Sequence, residues 1–430
     1  MKRSFFQYVS LNVLGALGLS GYILADTLFV AHRLGTDGLA ALNLAISVFG
    51  LINGLGLMLG IGGATRYAIC RTQGDGVRAD RAFSRALACG GALGGLLALA
   101  GLLWAVPLAR LLGAEGAILP MCSVYLRTVL LFAPCFLLNH ILTAFVRNDG
   151  NPKLAMAAML LGSLSNIVLD YVFLYPMDMG IFGAALATGI APVVGLCVSS
   201  LHILTRRSRF RLRPFRPALR PLADLAGLGS AAFLNECSSG LVLVVFNLLT
   251  LRLAGTLGVA AYGIVANLAL VVIAVFTGVA QGAQPLISRS HGQGRPDLAR
   301  RVLGYGLTVC LAMAGVLYIL LALFAPEVAA LFNSEGDPVL AATAVEGLRL
   351  YFLSAPLAGV NIMAATYFAA TQQALPAQLL SLLRGLFLVV PAALLLSALW
   401  GVWGLWLALP AAELAAALVC AVLFLRLKKS

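Results

Sequence analysis

Four carboxylates stand where a soluble protein would not put them. Of the 16 acidic residues, Asp26, Asp170, Glu236 and Glu413 fall inside long apolar runs. An acid buried in hydrocarbon is costly and usually marks an ion or substrate pathway. Tyr22 precedes Asp26 by one helical turn, and Asn166 precedes Asp170 by one, so each pair shares a helix face. Thr188 enters its own run from the same side and reaches a similar depth. Two carboxylates, an amide oxygen and a hydroxyl at one level form an oxygen-rich pocket. Such a pocket can hold a proton between the acids, or a small hard cation such as sodium. Glu236 lies near the middle of its run and is a second candidate, for coupling or for substrate contact. Glu413 is flanked by Ala411, Ala412, Ala415 and Ala416, which reads as close helix packing. His140 lies within a run and reads as a buried imidazole with a satisfied hydrogen bond.

The elements that must carry these residues are membrane spans. The chain has 430 residues, 61% hydrophobic and only 10% charged, with a mean hydropathy of +0.99. A soluble fold could not hide that much apolar surface, which excludes soluble enzymes and nucleic-acid binders. Apolar runs long enough to cross a bilayer number twelve, the first at 5–34, the tenth at 348–370 and the last at 402–427. The expected class is therefore an all-α polytopic membrane protein, with two pseudo-symmetric six-helix lobes around a central cavity. Met1-Lys2-Arg3 precedes a run too long for a cleaved signal peptide, so the first run is expected to be retained. The 8 cysteines lie singly and form no C-x-x-C pair, so they read as small core residues.

The net charge of +13 is a topology signal. Most basic residues cluster in alternate connections: Lys2 and Arg3; Arg66 to Arg85; Arg147 and Lys153; Arg206 to Arg220; Arg289 to Arg301; and Arg426, Lys428 and Lys429. The positive-inside rule puts these segments, and both termini, in the cytoplasm. Within the run from Arg206 to Arg220, Pro214 and Pro217 discourage a continuous helix. Residues 205–222 are thus expected to be a solvated cytoplasmic linker between a first lobe, 1–204, and a second, 223–430.

The halves repeat. Gly35-Thr36-Asp37-Gly38 and Gln73-Gly74 recur at one constant offset as Gly255-Thr256-Leu257-Gly258 and Gln293-Gly294. Gly180-Ile181-Phe182-Gly183 recurs as Gly401-Val402-Trp403-Gly404 at an offset one residue longer. Six spans per repeat return the chain to its starting side, so the lobes are related by an axis along the membrane normal. That is the layout of an alternating-access transporter.

Several segments together resemble one family. Ala25-Asp26-Thr27-Leu28-Phe29-Val30 with Arg33-Leu34-Gly35 is similar to the first-span signature of the multidrug and toxic compound extrusion (MATE) transporters. Arg147-Asn148-Asp149-Gly150-Asn151-Pro152 resembles their loop after the fourth span. Asn166-Ile167-Val168-Leu169-Asp170 with Gly180 and Gly183-Ala184-Ala185 resembles the fifth-to-sixth hairpin. Gln281-Gly282-Ala283-Gln284-Pro285-Leu286-Ile287-Ser288 and Gly292 resemble the end of the eighth span. The resemblance implies efflux of lipophilic, often cationic small molecules in exchange for protons or sodium. In the DinF-like branch, to which the chain looks closest, first-lobe acids carry the ion. The matching positions are Asp26 and Asp170, with Asn166, Thr188 and Tyr22 around them. Other branches use a glutamate in the seventh span, where Glu236 stands. The chain departs from many relatives in lacking a first-span proline; Gly15, Gly18 and Gly21 stand there instead. It also has Asn361 where some relatives carry a tenth-span acid.

Phe145, Met156, Met159, Phe246, Asn247, Met363 and Tyr367 are the expected lining of the substrate cavity. No organic cofactor is expected, only a coupling ion, H+ or Na+. The partners expected are small molecules and membrane lipids, without nucleic acid, and the chain is expected to be a monomer in the cell membrane. One alternative is a lipid-linked oligosaccharide flippase or polysaccharide exporter, which would want basic residues in the cavity. Arg127, Arg349 and Arg384 are the only ones placed within spans, all near ends. A polytopic membrane enzyme is the alternative of another class, and no acid–histidine or metal motif supports it.

Overall fold

A computed structural model describes residues 2–215, 218–332 and 337–427, and it is helical throughout its membrane-crossing length. The first two spans, Lys2–Gly35 and Asp37–Thr72, run on into each other, as do the seventh and eighth, Arg220–Gly255 and Leu257–Gly292. Between them lie Gly76–Leu111, a fourth span bent by 45° where Ile118–Leu131 meets Ala133–Asn148, then Pro152–Leu174 and Gly180–Leu204. The second half continues with Pro296–Leu323, Pro338–Ala370 and Ala374–Arg426. The last of these is 53 residues long, about 80 Å of helix and more than two bilayer thicknesses. It breaks at Gly401 into the eleventh and twelfth spans. The twelve spans form two lobes.

The repeat read from the sequence is a repeat of backbone geometry. Gly35 has φ 67 and ψ −157, and Gly255 has φ 63 and ψ −156. That region is essentially closed to any residue with a Cβ, so both tight span-to-span turns need glycine. Gly180 and Gly401 match in the same way, at φ 58 and φ 61. Proline breaks are repeated too. Pro134 stands in the first turn of Ala133–Asn148 and Pro356 in the first turn of Ala355–Ala370. A first-turn proline loses no intrahelical bond, so the helix restarts there at a new angle. The tenth span begins at Pro338, ten residues before the apolar run at 348–370, because Asp337 caps it through Val339 N–H and Leu340 N–H.

Each lobe has its own apolar core, and the first span joins the second lobe's. Phe5, Val9 and Val13 pack with Val275, Val279 and Ala283 of the eighth span. The approach is backbone to backbone. A Cβ on Gly278 would lie 2.7 Å from Val13 Cα, and one on Gly282 2.7 Å from Val9 Cα. Across the other lobe contact, a Cβ on Gly229 would lie 1.9 Å from the Met58 carbonyl oxygen. Small residues let helices meet this closely in a membrane, where dispersion rather than the hydrophobic effect drives helix association. These contacts lie in the half of the bundle that carries the termini. The inter-lobe hydrogen bonds found among the described residues join them there, through Thr65, Arg147, Asn148, Gln281, Gln284 and Arg289.

The linker departs from the solvated segment expected. Residues 208–213 dock on the first lobe. Phe210 is 2% exposed and sits among Tyr67, Phe83, Phe145 and His202. Around it, Arg209 N–H donates to Asp149, Arg211 N–H to Asp80 and Arg213 N–H to Ser84. The segment's backbone donors thus find side-chain acceptors that water would otherwise supply. Arg216, Pro217, Lys428 and Lys429 lie outside the described residues.

The turn glycines set a stability expectation. Gly35→Val and Gly255→Val should each destabilise by about 1–3 kcal/mol, seen as a lower apparent melting temperature in detergent. Gly21→Ala, at an open helical position, should not lower it. Equal melting for all three would remove the strain argument.

Candidate functional site

The first-lobe acids meet. Asp26 and Asp170 are both buried, and their carboxyl groups are within hydrogen-bonding reach of each other. Asn166, Thr188 and Tyr22 are buried with them. The Asn166 amide donates to Asp170 Oδ2 at 3.0 Å and accepts from Thr188 N–H at 3.2 Å in its satisfied orientation. Tyr125 of the fourth span adjoins Thr188 and Asp26 and completes the cluster. Sequence reading missed it, because it lies in another span with no repeat or motif to mark it.

Helix packing explains the convergence. A Cβ on Gly18 would overlap the Leu160 side chain, and one on Gly162 would lie 3.0 Å from the Ala191 carbonyl oxygen. The first, fifth and sixth spans therefore approach closely just beneath the acids. Above them, Phe29 packs on Tyr171 and Tyr175, and Arg33 pairs with Asp178 at 2.8 Å. Asp26 Oδ1, Asp170 Oδ1 and Thr188 Oγ1 are buried without a hydrogen-bond partner among the described residues. No arginine or lysine among those residues forms an ion pair with either acid. Two adjacent buried carboxylates cannot both remain bare charges. The donor set of acid, amide and hydroxyl oxygens fits a shared proton or a small hard cation.

A cavity lies between the lobes, on the terminus side of this cluster. Its lining includes Leu57, Ile61, Arg147, Asn235, Glu236, Gln281 and Arg384. None of the seven expected lining residues is there, whereas Glu236, the separate candidate for coupling or substrate contact, is. Phe145 is fully buried against Tyr67, Phe83 and Phe210 in the first lobe's core. Phe246 stacks on Tyr262 in the second lobe's core. Met363 is buried against Gly306, and Tyr367 packs on Phe368 and Phe424. Met159 lies on Gly15, and neither Met156 nor Asn247 reaches the lining. The tenth span shows why. It presents Ile362, Ala365, Thr366 and Ala369, one continuous helical stripe, to the cavity. Met363 and Tyr367 stand on the neighbouring stripe, turned into the core.

The cavity's charges were misplaced by sequence reading. Arg147 is not a loop residue that merely reports topology. It is 3% exposed, and its Nη1 donates to Asn12 at 2.7 Å and Gln281 at 2.9 Å. Arg384 lies inside the eleventh span, in a π-helical turn at Leu383–Phe387. Its Nη2 donates to Glu413 Oε1 at 2.7 Å, its Nε to Oε2 at 3.4 Å and its Nη1 to Asn235 at 2.7 Å. Asn361 donates to the same carboxylate at 2.7 Å. Glu413 is thus the buried counter-ion of Arg384, not only a packing residue. Opposite charges within adjacent apolar runs were the available signal. Glu236 has no ion pair or hydrogen bond among the described residues. His140 is satisfied, with Nε2 at 3.0 Å from Asn53 Oδ1.

Twelve helices in two repeated lobes, a charged cavity between them and a buried acid pair to one side define a membrane transporter, not an enzyme. Residues 13–172 and 231–395 match the MatE family model, and the chain belongs to the MATE family of transporters. Among curated proteins it is 27% identical over 413 residues to the multidrug export protein MepA of Staphylococcus saprophyticus, covering 95% of this chain and 90% of that one. It is 29% identical over 425 residues to an FAD transporter of Shewanella oneidensis, covering 95% and 91%. Among solved structures, a multidrug resistance MATE transporter in an outward-facing conformation superposes with a TM-score of 0.93 at 25% identity, covering 100% of this chain and 97% of that one.

The ion pair yields a stability test. Arg384→Met leaves Glu413 buried without its cation, and should destabilise by about 3–5 kcal/mol. Adding Glu413→Leu should recover most of the loss, because the pair itself adds little net stability. Thermal unfolding of the single and double variants measures both. A double variant no better than the single would show that the pair is not the relevant interaction.

Proposed function

We propose that the protein exports small molecules from the cell by exchange against a proton or sodium ion taken up at the Asp26–Asp170 cluster. The observation that carries this reading is the pair of adjacent buried carboxyls, with oxygens left unsatisfied and no cationic partner among the described residues. The positive-inside bias puts both termini in the cytoplasm and the sealed end of the lobes on that face. The ion therefore enters from outside. Its arrival neutralises the acid pair and lets the first, fifth and sixth spans repack. The lobes then rock about their contact, and the ion leaves inward while the solute leaves outward. One positive charge crossing 100 mV supplies about 2.3 kcal/mol, roughly a 50-fold concentration bias.

The solutes of this reading are lipophilic and carry a cationic group, for which Glu236 is the uncommitted acid on the cavity wall. The names of the similar multidrug export proteins support small-molecule solutes. The protein acts as a monomer in the cell membrane. A second reading, export of a phosphate-bearing compound such as a lipid-linked sugar, gains from finding two arginines on the cavity. It is weakened because Glu413 already neutralises Arg384.

Proteoliposomes under separately imposed proton and sodium gradients test the mechanism with a cationic dye. Wild type should concentrate the dye under one gradient. Asp26→Asn and Asp170→Asn should each slow gradient-driven movement at least about 10-fold. Glu236→Gln should chiefly weaken dye binding. Normal coupling in both aspartate variants, with loss only in Glu236→Gln, would move the ion site to the second lobe.

A further inference from the structure

The docked linker builds an open cleft against the third span, away from the cavity between the lobes. Arg209, Arg211 and Arg213 each donate a backbone N–H to the first lobe. Leu212, between two of these anchors, is left 70% exposed, and Phe215 beyond them is half-buried. Leu212, Pro214 and Phe215 form one wall of the cleft, and Ser84, Leu87 and Ala88 of the third span form the other. An exposed leucine beside an aromatic ring is an apolar surface that the protein itself does not cover.

The level of the cleft follows from the charges of the third span, Gly76–Leu111. Its terminus-side basic residues end at Arg85, and the next charge is Arg110. The uncharged stretch between them is about 36 Å long at the α-helical rise, against about 30 Å of hydrocarbon. Arg85 therefore stands at one hydrocarbon boundary and Arg110 at the other. Beyond Arg85, Leu96, Leu99 and Leu103 are at least half exposed, as residues facing lipid are. The cleft opens partly into the headgroup layer and partly onto the acyl chains. Its headgroup side is cationic and uncompensated. Asp75 pairs with Arg78 at 3.1 Å, and Asp80 pairs with Arg213 at 3.1 Å and accepts the Arg211 N–H. Arg81 and Arg85 are one turn apart on the same helix face. Neither makes an ion pair or hydrogen bond among the described residues. Arg81 is exposed. Arg85 lies over the Phe215 ring, its guanidinium carbon 5.9 Å from the centroid. Of its unpartnered nitrogens only Nε is fully buried, so the two terminal amino groups stay open to the headgroup layer.

We propose that this cleft binds an anionic phospholipid, with its phosphate on Arg81 and Arg85 and one acyl chain between the linker's Leu212 and Phe215 and the third span. Guanidinium groups at a hydrocarbon boundary are suited to phosphate oxygens. Charge complementarity selects the headgroup. A headgroup with its own amine brings a cation against Arg81 and the exposed Arg211, and like charges repel. Phosphatidylglycerol has no such amine, and phosphatidylcholine has one. The apolar walls select a lipid over a free phosphate, which leaves Leu212 in water. The bound lipid joins Pro214 and Phe215, the far end of the docked segment, to the third span. The inference is independent of the exchange reading, since it concerns neither the solute nor the coupling ion.

Native mass spectrometry of the full-length protein, released from a non-ionic detergent, counts bound lipids and gives their affinities. The probes are dioleoyl phosphatidylglycerol, dioleoyl phosphatidylcholine and glycerol phosphate. Wild type should bind phosphatidylglycerol at least about 10-fold more tightly than phosphatidylcholine, the scale of two arginines at a membrane surface. Glycerol phosphate should not bind measurably. Replacing both arginines, Arg81→Gln with Arg85→Gln, should bring the two lipids within about twofold. Arg110→Gln, at the other hydrocarbon boundary of the same helix, should keep the preference. Leu212→Asn, which alters the linker and no charge, should weaken phosphatidylglycerol several-fold. Equal binding of the two lipids by wild type, or binding of neither, would overturn the inference. So would a preference that survives the double replacement, one that Arg110→Gln abolishes as well, or an affinity unchanged in Leu212→Asn. Glycerol phosphate bound as tightly as the lipid would make the site one for a free anion, and a dimer in place of a lipid-bound monomer would make the cleft a contact between chains. Should the double variant not fold, Arg81→Gln alone, at an exposed position, and Leu212→Asn decide: unchanged affinity in either overturns the assignment.

Discussion

Charge inside a bilayer must find its match without water, and the arrangement of this protein follows from that requirement. The interior of the bundle holds few ionisable groups, and each is handled differently. Arg384 and Glu413 neutralise each other within the second lobe. Asp149 is satisfied by His202, Tyr67 and the docked linker. Asp26 and Asp170 face one another with no cation among the described residues. Arg147 and Glu236 stand on opposite walls of the cavity, each unmatched. The matched groups neutralise each other within a lobe, and the unmatched ones are left without a counter-charge among the described residues.

The second lobe is a repeat of the first in backbone but not in chemistry. Gly35 and Gly255 adopt nearly identical dihedrals, and Pro134 and Pro356 restart their helices at equivalent places. At the constant offset of the early glycines, Asp26 corresponds to Phe246, which is stacked in an aromatic core. The duplicated scaffold therefore carries an acid pair on one side and an apolar core on the other. Under the exchange mechanism proposed above, the ion biases one lobe while the other follows as a body.

Much of this was legible in the sequence, for physical reasons. Glycines that must adopt a positive φ announce themselves by type, so the span-to-span turns and the repeat were readable. A carboxylate surrounded by apolar residues is equally conspicuous, and helical spacing from Asp26 to Tyr22 and from Asp170 to Asn166 correctly gave their faces. The cavity lining was not legible. Apolar residues on adjacent stripes of one helix look alike, and only packing decides that Ile362 faces the cavity while Met363 faces the core. Arg147 was hidden because it stands near a span end among residues that do report topology. Its side chain reaches inward to Asn12 and Gln281, and a one-dimensional reading carries no sign of that direction. The linker was hidden for a related reason, since its arginines looked solvated while its backbone and Phe210 were committed to the first lobe.

The docked linker has a mechanical consequence. With Phe210 seated in its aromatic pocket and Arg213 held by Asp80 and Ser84, the slack between the lobes is confined to the few residues that remain before the seventh span. Fully extended, they reach only about 20 Å. The two lobes are leashed along one edge of the rim that carries the termini. They can swing about that edge like the covers of a book bound at the spine, but they cannot part there by more than that reach. A passage opening on that face would widen as a wedge, broadest on the side farthest from the linker, and a solute would find its way in from there.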